Sequence, residues 1–314
     1  MAYRLSRRSQ SISYLEMTLG QRITKDHVTS NKMAQSSVTC VYQTHIGGYW
    51  RNITVHWTKN LMNHCVALCV DSTVDIFQPS TCKIELKPWH FWSKKGYKTF
   101  EVDGNQLEAY WDLRSSKFSS GSPEPISDFY IALVSEEEVV LLLGDYKDKV
   151  FKKTKARPAI VDSVLFYKKE HVFSKKSFST RAKFDHRKKE HDIIVESSTT
   201  GPRDPEMWIS IDGIVLIHIQ NLHWKFRGNQ TVLVNKQSVQ VFWDVYAWLF
   251  CTPGPSHGLF IFQPLRTMDL DSDGEESSSK GGDSLCSDET WYFSTQSHSK
   301  ASPFCLFLYA WKIE

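Results

Sequence analysis

Short hydrophobic runs with alternating polar positions recur along the chain after its first 36 residues, and they predict strands rather than helices. The alternation is clearest over residues 107–113, where one face carries four apolar side chains: Leu107, Ala109, Trp111 and Leu113. Predicted strands cover residues 38–46, 52–58, 65–70, 83–87, 98–102, 107–113, 129–134 and 139–143. No segment keeps a 3.6-residue period, so the chain is expected to be all-β.

An internal repeat is the strongest signal in the sequence. Residues 83–113 align without a gap with residues 215–245, and residues 123–131 resemble residues 253–261 at a shift that is two positions smaller. Six aligned pairs are identical: Trp92/Trp224, Gly96/Gly228, Thr99/Thr231, Val102/Val234, Trp111/Trp243 and Asp112/Asp244. The repeat predicts two tandem antiparallel β-sandwich domains derived from an internal duplication.

Each copy also carries a two-residue hairpin signal between its strands. Asp103-Gly104 and Asn235-Lys236 occupy the same place in the alignment. A tight hairpin turn needs residues that tolerate positive φ, which glycine, asparagine and aspartate do. We therefore expect both copies to form the same hairpin, with Trp111 and Trp243 as core anchors on the inner face. Asp112 and Asp244 would face outward and pair with an arginine or cap a backbone amide.

The predicted organisation has three parts. Residues 1–36 form a disordered leader, residues 37–157 the first β-sandwich domain, and residues 158–314 the second, with an acidic disordered insertion at about 265–303. The leader is rich in serine, threonine and arginine, so a transit peptide is the alternative reading of it. Ser272 and Ser287 in the insertion are each followed by acidic residues and are candidate phosphorylation sites.

Composition restricts where the protein acts. The longest apolar run, residues 304–311, is much shorter than the roughly 18 residues that a membrane-spanning helix requires. The seven cysteines are an odd number without a paired CxxC motif, and no secretory leader precedes them, so they are read as reduced thiols. The chain is expected to be cytoplasmic or nuclear, neither transmembrane nor secreted.

The charge distribution is uneven. Residues 147–190 hold fifteen Lys and Arg against five Asp and Glu, a net of +10, whereas the whole chain has a formal charge of +3. Such a stretch is often a solvated strand face, but it also attracts anionic lipid, nucleic acid or an acidic protein. Lipid is favoured over nucleic acid. The candidate anion-binding residues are Lys168, Lys169, Lys175, Lys176, Arg187, Lys188 and Lys189.

Motifs for catalysis, metals and cofactors are not found in the sequence. There is no Gly-x-Ser-x-Gly elbow, glycine-rich phosphate loop, HExxH pair or zinc-spaced Cys/His set. The Asp-rich start at Asp269 resembles a calcium loop, but Lys280 stands where a bidentate glutamate is required. Residues 89–92 and 222–226 mix aromatics, histidine and cations, which would suit a sugar or aromatic-ligand groove, or sheet-edge packing.

Four strings resemble the plant domain-of-unknown-function 868 family: residues 38–43, 87–96, 134–138 and 208–213. The likeness covers roughly residues 37–264. It implies a plant protein of an uncharacterised family and carries no catalytic or binding residues with it.

These observations lead to one expected function and one alternative. The expected function is a non-enzymatic binding or adaptor protein with an unidentified protein partner and no cofactor. The alternative is peripheral attachment to an anionic membrane surface through the basic residues 147–190, with nucleic acid as the less favoured ligand.

Overall fold

The fold is seen in a computed structural model that describes residues 36–59, 64–72, 80–86, 94–119, 122–174, 176–184, 190–199, 204–251, 256–265 and 304–312, with only the backbone of 80–86. Strands dominate these residues, so the all-β prediction is confirmed. The predicted leader and acidic insertion, with Ser272 and Ser287, lie outside the described residues apart from one residue of each.

The chain divides into two compact units. Unit 1 comprises Met1–Ser163, Lys169–Lys175 and Trp311–Glu314, and unit 2 comprises Val164–Lys168 and Lys176–Ala310. The units are therefore not simple halves of the chain, because two short segments that follow residue 163 belong to unit 1. The predicted boundary between residues 157 and 158 stays a prediction.

Unit 1 contains two sheets and a two-stranded ribbon. The first sheet includes the order β1-β2-β3-β4, and these strands are β1 (Ser36–Ile46), β2 (Tyr49–Lys59), β3 (His64–Val70) and β4 (Ser80–Leu86). The second sheet has the order β11-β10-β9-β6-β5, and its strands are β5 (Lys95–Val102), β6 (Asn105–Asp112), β9 (Tyr130–Ser135), β10 (Glu138–Gly144) and β11 (Arg157–Pro158). The ribbon pairs β7 (Lys117–Phe118) with β8 (Pro125–Ser127), and helix α1 (Lys147–Thr154) follows β10.

The apolar faces of the two sheets meet in unit 1. Trp57 of β2 makes an edge-to-face contact with Phe129, which precedes β9, at 6.2 Å between ring centroids. Thr44 of β1 donates a buried hydrogen bond to the Val140 carbonyl of β10 at 2.8 Å. The predicted inner face of β6 is confirmed at Leu107, Ala109 and Leu113, which are buried. Trp111, predicted as a core anchor on that face, is only half-buried, and Asp112, predicted to face outward, is buried.

Unit 2 also contains two sheets. One has the order β13-β14-β15-β16, with β13 (Ser177–Ala182), β14 (His191–Ser198), β15 (Glu206–Ile211) and β16 (Ile214–Ile219). The other includes β17-β18-β19-β20, with β17 (Arg227–Val234), β18 (Gln237–Asp244), β19 (His257–Pro264) and β20 (Cys305–Trp311). Helices α2 (Leu222–Lys225) and α3 (Tyr246–Phe250) flank the β17–β18 hairpin, and β12 (Val164–Phe173) is divided between the units.

Aromatic contacts join the two sheets of unit 2. Phe178 of β13 lies 5.6 Å from Phe260 of β19, and Phe184 lies 6.4 Å from Phe262, both measured between ring centroids. Val239, Val241 and Val245, which the sequence pattern placed on the inner face, are fully buried.

The two predicted turns have matching backbones. Asp103 and Gly104 have φ of 48° and 79°, and Asn235 and Lys236 have φ of 47° and 69°. Two consecutive residues with positive φ are the signature of a type I′ turn, whose twist matches that of the flanking strands. Lys236 adopts this φ without being glycine, asparagine or aspartate, so turn geometry here overrides residue preference.

Candidate binding surfaces

Trp111 and Trp243 occupy matching positions in their hairpins. Trp111 of β6 lies opposite Gly96 of β5, and Trp243 of β18 lies opposite Gly228 of β17. A Cβ placed on Gly96 would be 2.8 Å from the Trp111 ring, and one on Gly228 would be 2.5 Å from the Trp243 ring. The glycines are needed because each indole ring covers the neighbouring backbone. This packing explains both tryptophans without a substrate.

Asp112 and Asp244 also behave alike. Asp112 binds Arg114 through two oxygens, at 2.9 and 2.7 Å, and Asp244 binds Arg227 at 2.6 Å. Each aspartate in addition accepts the backbone N–H two residues later, at 3.3 Å from Arg114 and 3.4 Å from Tyr246. Burial alone would raise the pKa of Asp112, but the hydrogen bonds from Arg114 lower it overall. Both aspartates therefore fix the chain direction after the hairpin.

The seven predicted anion-binding residues do not all reach the surface. Lys168 is buried, and its Nζ donates to the Arg181 carbonyl at 3.2 Å. Lys169 is half-buried, and Lys176 is exposed. The other four lie outside the described residues: Lys175, Arg187, Lys188 and Lys189. Lys168 is thus part of a strand interior rather than of a cationic face.

The exposed cations of the basic stretch are concentrated on helix α1 in unit 1. Val150 is fully buried and anchors this helix to the sheet. The exposed lysines, here called the basic helix surface, are Lys147, Lys149, Lys152, Lys153 and Lys155. Lys149 also lies over the ring of Tyr146, 3.3 Å from its centroid. Ile160, close after the helix, is 84% exposed.

The helix was missed from sequence, although its apolar spacing contained the signal. Tyr146 and Val150 are four residues apart, and Thr154 completes the row. Thr154 donates its hydroxyl to the Val150 carbonyl at 2.9 Å, and the helix is capped at Lys155, whose backbone is left-handed at φ 56°. A run of eight residues is too short for this pattern to stand out against the surrounding strands.

A cluster of aromatic residues, three of them exposed and two half-buried, lies where α2 and α3 flank the β17–β18 hairpin in unit 2. We call it the aromatic corner and define it by His223, Trp224, Phe226, Tyr246 and Phe250. Ring centroids are 4.7 Å apart for His223 and Phe250, 6.1 Å for Phe250 and Tyr246, and 5.0 Å for Tyr246 and Phe226. Trp224 is 86% exposed and Tyr246 is 49% exposed.

Two buried residues hold the aromatic corner in place. Leu222, at the start of α2, is fully buried, and the chain enters α2 through Asn221 in the left-handed region at φ 57°. Trp248 of α3 is buried against Phe260 and Phe178. Because Tyr246 and Phe250 are four residues apart, they share the opposite face of that helical turn. Burial of the anchors leaves the aromatic corner outward.

The sequence pattern predicts three of the five residues of the aromatic corner. The mixture of aromatics and cations at residues 222–226 contains them but gives no connection with Tyr246 and Phe250, and the similar residues 89–92 lie outside the described residues. The available signal was the run Tyr246–Phe250, which directly follows the repeated Asp244. The charged side chains nearby are Lys225, which is exposed, and Arg227, which is paired with Asp244.

Other polar side chains in the described units serve the fold. In unit 1, Arg51 is buried and binds Asp103 at 2.6 Å, which ties β2 to the β5–β6 turn. In unit 2, His191 binds Asp212 at 2.7 Å.

One tyrosine and one cysteine have a strongly raised pKa. The Glu108 carboxylate raises the pKa of Tyr110 to about 12, and burial raises the pKa of the Cys305 thiol to about 12. That thiol is consequently a poor nucleophile.

Neither metal clusters nor membrane-spanning helices occur in the described parts of the chain. No three His, Cys, Asp or Glu side chains among these residues are arranged to hold a metal ion. None of the helices found there combines the length and the apolar composition that crossing a bilayer requires.

Comparison with known families shows which family the chain belongs to. The family model described as plant protein of unknown function (DUF868) matches residues 33–312. The chain belongs to this family. The match confirms the resemblance of the four sequence strings and extends to both units of the DUF868 chain. No curated protein and no solved structure matches it.

Proposed function

We propose that this DUF868 protein is a non-enzymatic binding or adaptor protein that contacts a protein partner through the aromatic corner of unit 2. The observation that carries the proposal is the exposure of two aromatic side chains of this corner, 86% for Trp224 and 49% for Tyr246. Tryptophan and tyrosine are the residues most often found at the energetic centre of protein interfaces. Burying one large aromatic side chain contributes roughly 2–3 kcal/mol, so their exposure is costly unless a partner covers them.

A binding role also agrees with the surroundings of the polar groups. Asp103, Asp112 and Asp244 are each held by an arginine. A catalytic acid or base has to reach its substrate, whereas these carboxylates are directed at partners within the fold. Binding through an exposed surface needs no such group, so we propose that no cofactor takes part.

Photo-crosslinking in a plant extract tests the proposal. A benzophenone amino acid replaces Trp224 or, in a separate variant, Tyr246, and the adducts are identified by mass spectrometry. Tyr97 in unit 1 is the control because it is an aromatic residue with 66% exposure. We expect positions 224 and 246 to capture the same protein, with competition by the wild-type chain but not by the Trp224→Ala/Tyr246→Ala variant. Capture of the same proteins from position 97 would contradict the proposal.

We further propose that residues 37–157 and residues 158–314 are tandem antiparallel β-sandwich domains that arose by duplication. The proposal is supported by the identical register of the two hairpins, in which Gly96 faces Trp111 and Gly228 faces Trp243. Mild proteolysis of the full chain should release fragments cut near residue 157. Cuts spread over residues 164–175 would argue for a different domain boundary.

A second candidate function is attachment to anionic membranes, and the basic helix surface of unit 1 favours it. Its lysines project into solvent close to the exposed Ile160, and lysines near an anionic lipid surface contribute about 1 kcal/mol each. Lys169 and Lys176 of the predicted set belong to this proposal, and nucleic acid remains the less favoured ligand.

Liposome co-sedimentation separates these alternatives. Lys152→Glu/Lys153→Glu should abolish binding to phosphatidylserine vesicles, whereas Lys98→Glu on β5 should leave it intact. Equal loss of vesicle binding in both variants would indicate nonspecific charge attraction.

We also propose that the protein is located in the cytoplasm or the nucleus, and a fluorescent fusion in plant cells tests this location.

A further inference from the structure

Strand β17 of unit 2 is an edge strand that pairs with its neighbour along its whole length. All eight of its residues pair with β18, from Arg227 opposite Asp244 to Val234 opposite Gln237, and no bulge interrupts the ladder. Within the described part of the chain, β17 ends its sheet. An uninterrupted edge of this length presents a row of backbone groups that another strand can bind.

The turn identifies which backbone groups point outward. In a two-residue hairpin the residues that flank the turn exchange both backbone hydrogen bonds, so Val234 and Gln237 form such a pair. Hydrogen-bonded and non-hydrogen-bonded pairs then alternate along the ladder. The N–H and C=O groups of Asn229, Thr231 and Leu233 therefore point away from β18. The side chains of these three residues are exposed as well.

The corresponding edge of unit 1 is protected by charge. Strand β5 has the same register as β17, but it carries Lys98 where β17 has Gln230 and Glu101 where β17 has Leu233. Charged side chains on an edge strand oppose the addition of another strand. From Gly228 to Val234 the edge of β17 contains no charge and no proline, and Leu233 is 64% exposed.

Other edges in the described residues are also protected. Strand β11 contains Pro158, β13 carries Arg181, and β16 has a register shift against β15 between Ile209 and Ser210. Prolines, charges and bulges are the usual devices against edge-to-edge pairing. From Gly228 to Val234, strand β17 has none of the three.

We propose that β17 binds an extended, uncharged segment of a partner protein as an added strand. The inference rests on the proposed binding function and specifies how the partner is held, with the aromatic corner next to the start of β17. A second copy of the chain fits less well. Antiparallel pairing of two β17 strands centred on Thr231 would place Leu233 opposite the amide of Asn229, so the edge is not self-complementary.

The experiment transfers the unit 1 edge to unit 2. Random peptides of about 10 residues are displayed on phage and selected on the full chain, and the affinity of enriched peptides is measured by fluorescence polarisation. Gln230→Lys/Leu233→Glu gives β17 the two charges that β5 tolerates. We expect at least about tenfold weaker binding, because charged edges oppose strand addition.

A second variant tests the backbone directly. Thr231→Pro removes an outward N–H without removing a bond to β18, and it should weaken peptide binding similarly. The matched control is Thr99→Pro, at the equivalent position of β5, which should leave affinity unchanged. Hydrogen exchange should show protection of the amides of Asn229, Thr231 and Leu233 when peptide is bound. Circular dichroism verifies folding of every variant.

The outcomes separate this inference from the proposed function. Strand addition is overturned if every enriched peptide binds the Gln230→Lys/Leu233→Glu variant as tightly as the wild-type chain. It is also overturned if the wild-type chain forms dimers at high concentration and this variant does not, because the edge would then bind a second copy. If position 224 still captures a partner by crosslinking, the binding function stands without β17. If neither experiment detects a partner, both proposals fail.

Discussion

The β5–β6 hairpin of unit 1 and the β17–β18 hairpin of unit 2 have the same register and turn but different surroundings. Both place a tryptophan over a glycine, and both end in an aspartate that binds an arginine. The unit 2 hairpin is flanked by the aromatic corner and has an edge without charge from Gly228 to Val234, whereas the edge of the unit 1 hairpin carries Lys98 and Glu101. The comparison shows that the two hairpins share the residues that pack against each other and differ in the side chains at their surface.

The largest expected effect comes from the tryptophans. Trp243→Ala should lower the free energy of unfolding by about 3–5 kcal/mol, the usual cost of deleting a buried aromatic. Its indole N–H also donates to the Lys225 carbonyl at 3.1 Å. Trp111→Ala should cost less, about 2 kcal/mol, because Trp111 is only half-buried. Urea denaturation followed by circular dichroism measures both, and equal costs would weaken the comparison.

Alanine at the two glycines should have the next largest effect. Gly228→Ala places a methyl group against the Trp243 ring and should cost about 1–3 kcal/mol, and Gly96→Ala somewhat less. The control is a double-mutant cycle with Trp243→Ala, in which the cost of Gly228→Ala should disappear. A cost that persists without the indole would mean that the glycine serves another purpose.

Alanine at the two aspartates should have the third-largest effect on stability. Asp112→Ala removes a mostly buried carboxylate that binds Arg114 through two oxygens, and it should cost about 1–2 kcal/mol. Asp244→Ala disrupts a more exposed pair and should cost about 0.2–1 kcal/mol. Thermal unfolding of the two variants provides the measurement. The opposite ranking would show that burial does not set the strength of these pairs.

The smallest expected effect is a pH dependence confined to unit 1. Burial, with Lys59 and Lys94 nearby, lowers the pKa of His64 below 6.5. The unfolded chain then binds a proton more readily, so the stability of unit 1 should fall as pH drops below about 6.5. His64→Gln should flatten this slope. The control is His191→Gln in unit 2, where the histidine is paired with Asp212. An unchanged slope in His64→Gln would show that His64 is not the source of the pH dependence.

Much of the fold was predictable because short-range rules decide it. Alternation identified the inner faces of β6 and β18, and the turn residues Asp103 and Asn235 identified both hairpins. Downstream, the alignment of residues 123–131 with 253–261 was wrong by one position. In the structure Ile131 lies opposite Trp111, whereas Phe260, not Ile261, lies opposite Trp243. Similar apolar residues on both sides of a buried strand make such a slip invisible in sequence.

The candidate site was less predictable, because exposure depends on tertiary contacts. A buried Lys168 cannot be distinguished from an exposed one when neighbouring residues are lysines. The aromatic corner combines α2 and α3, which are separated in sequence by the whole β17–β18 hairpin. Only the fold brings Phe226 and Tyr246 together.

The most direct test of the account is the free energy of unfolding of Trp224→Ala measured beside that of Trp243→Ala. If Trp243 is present for packing and Trp224 for a partner, Trp224→Ala should remain within about 0.5 kcal/mol of the wild-type chain while Trp243→Ala loses several. A loss in Trp224→Ala that equals the loss in Trp243→Ala would show that Trp224 stabilises the fold, and it would contradict the assignment of the aromatic corner to binding.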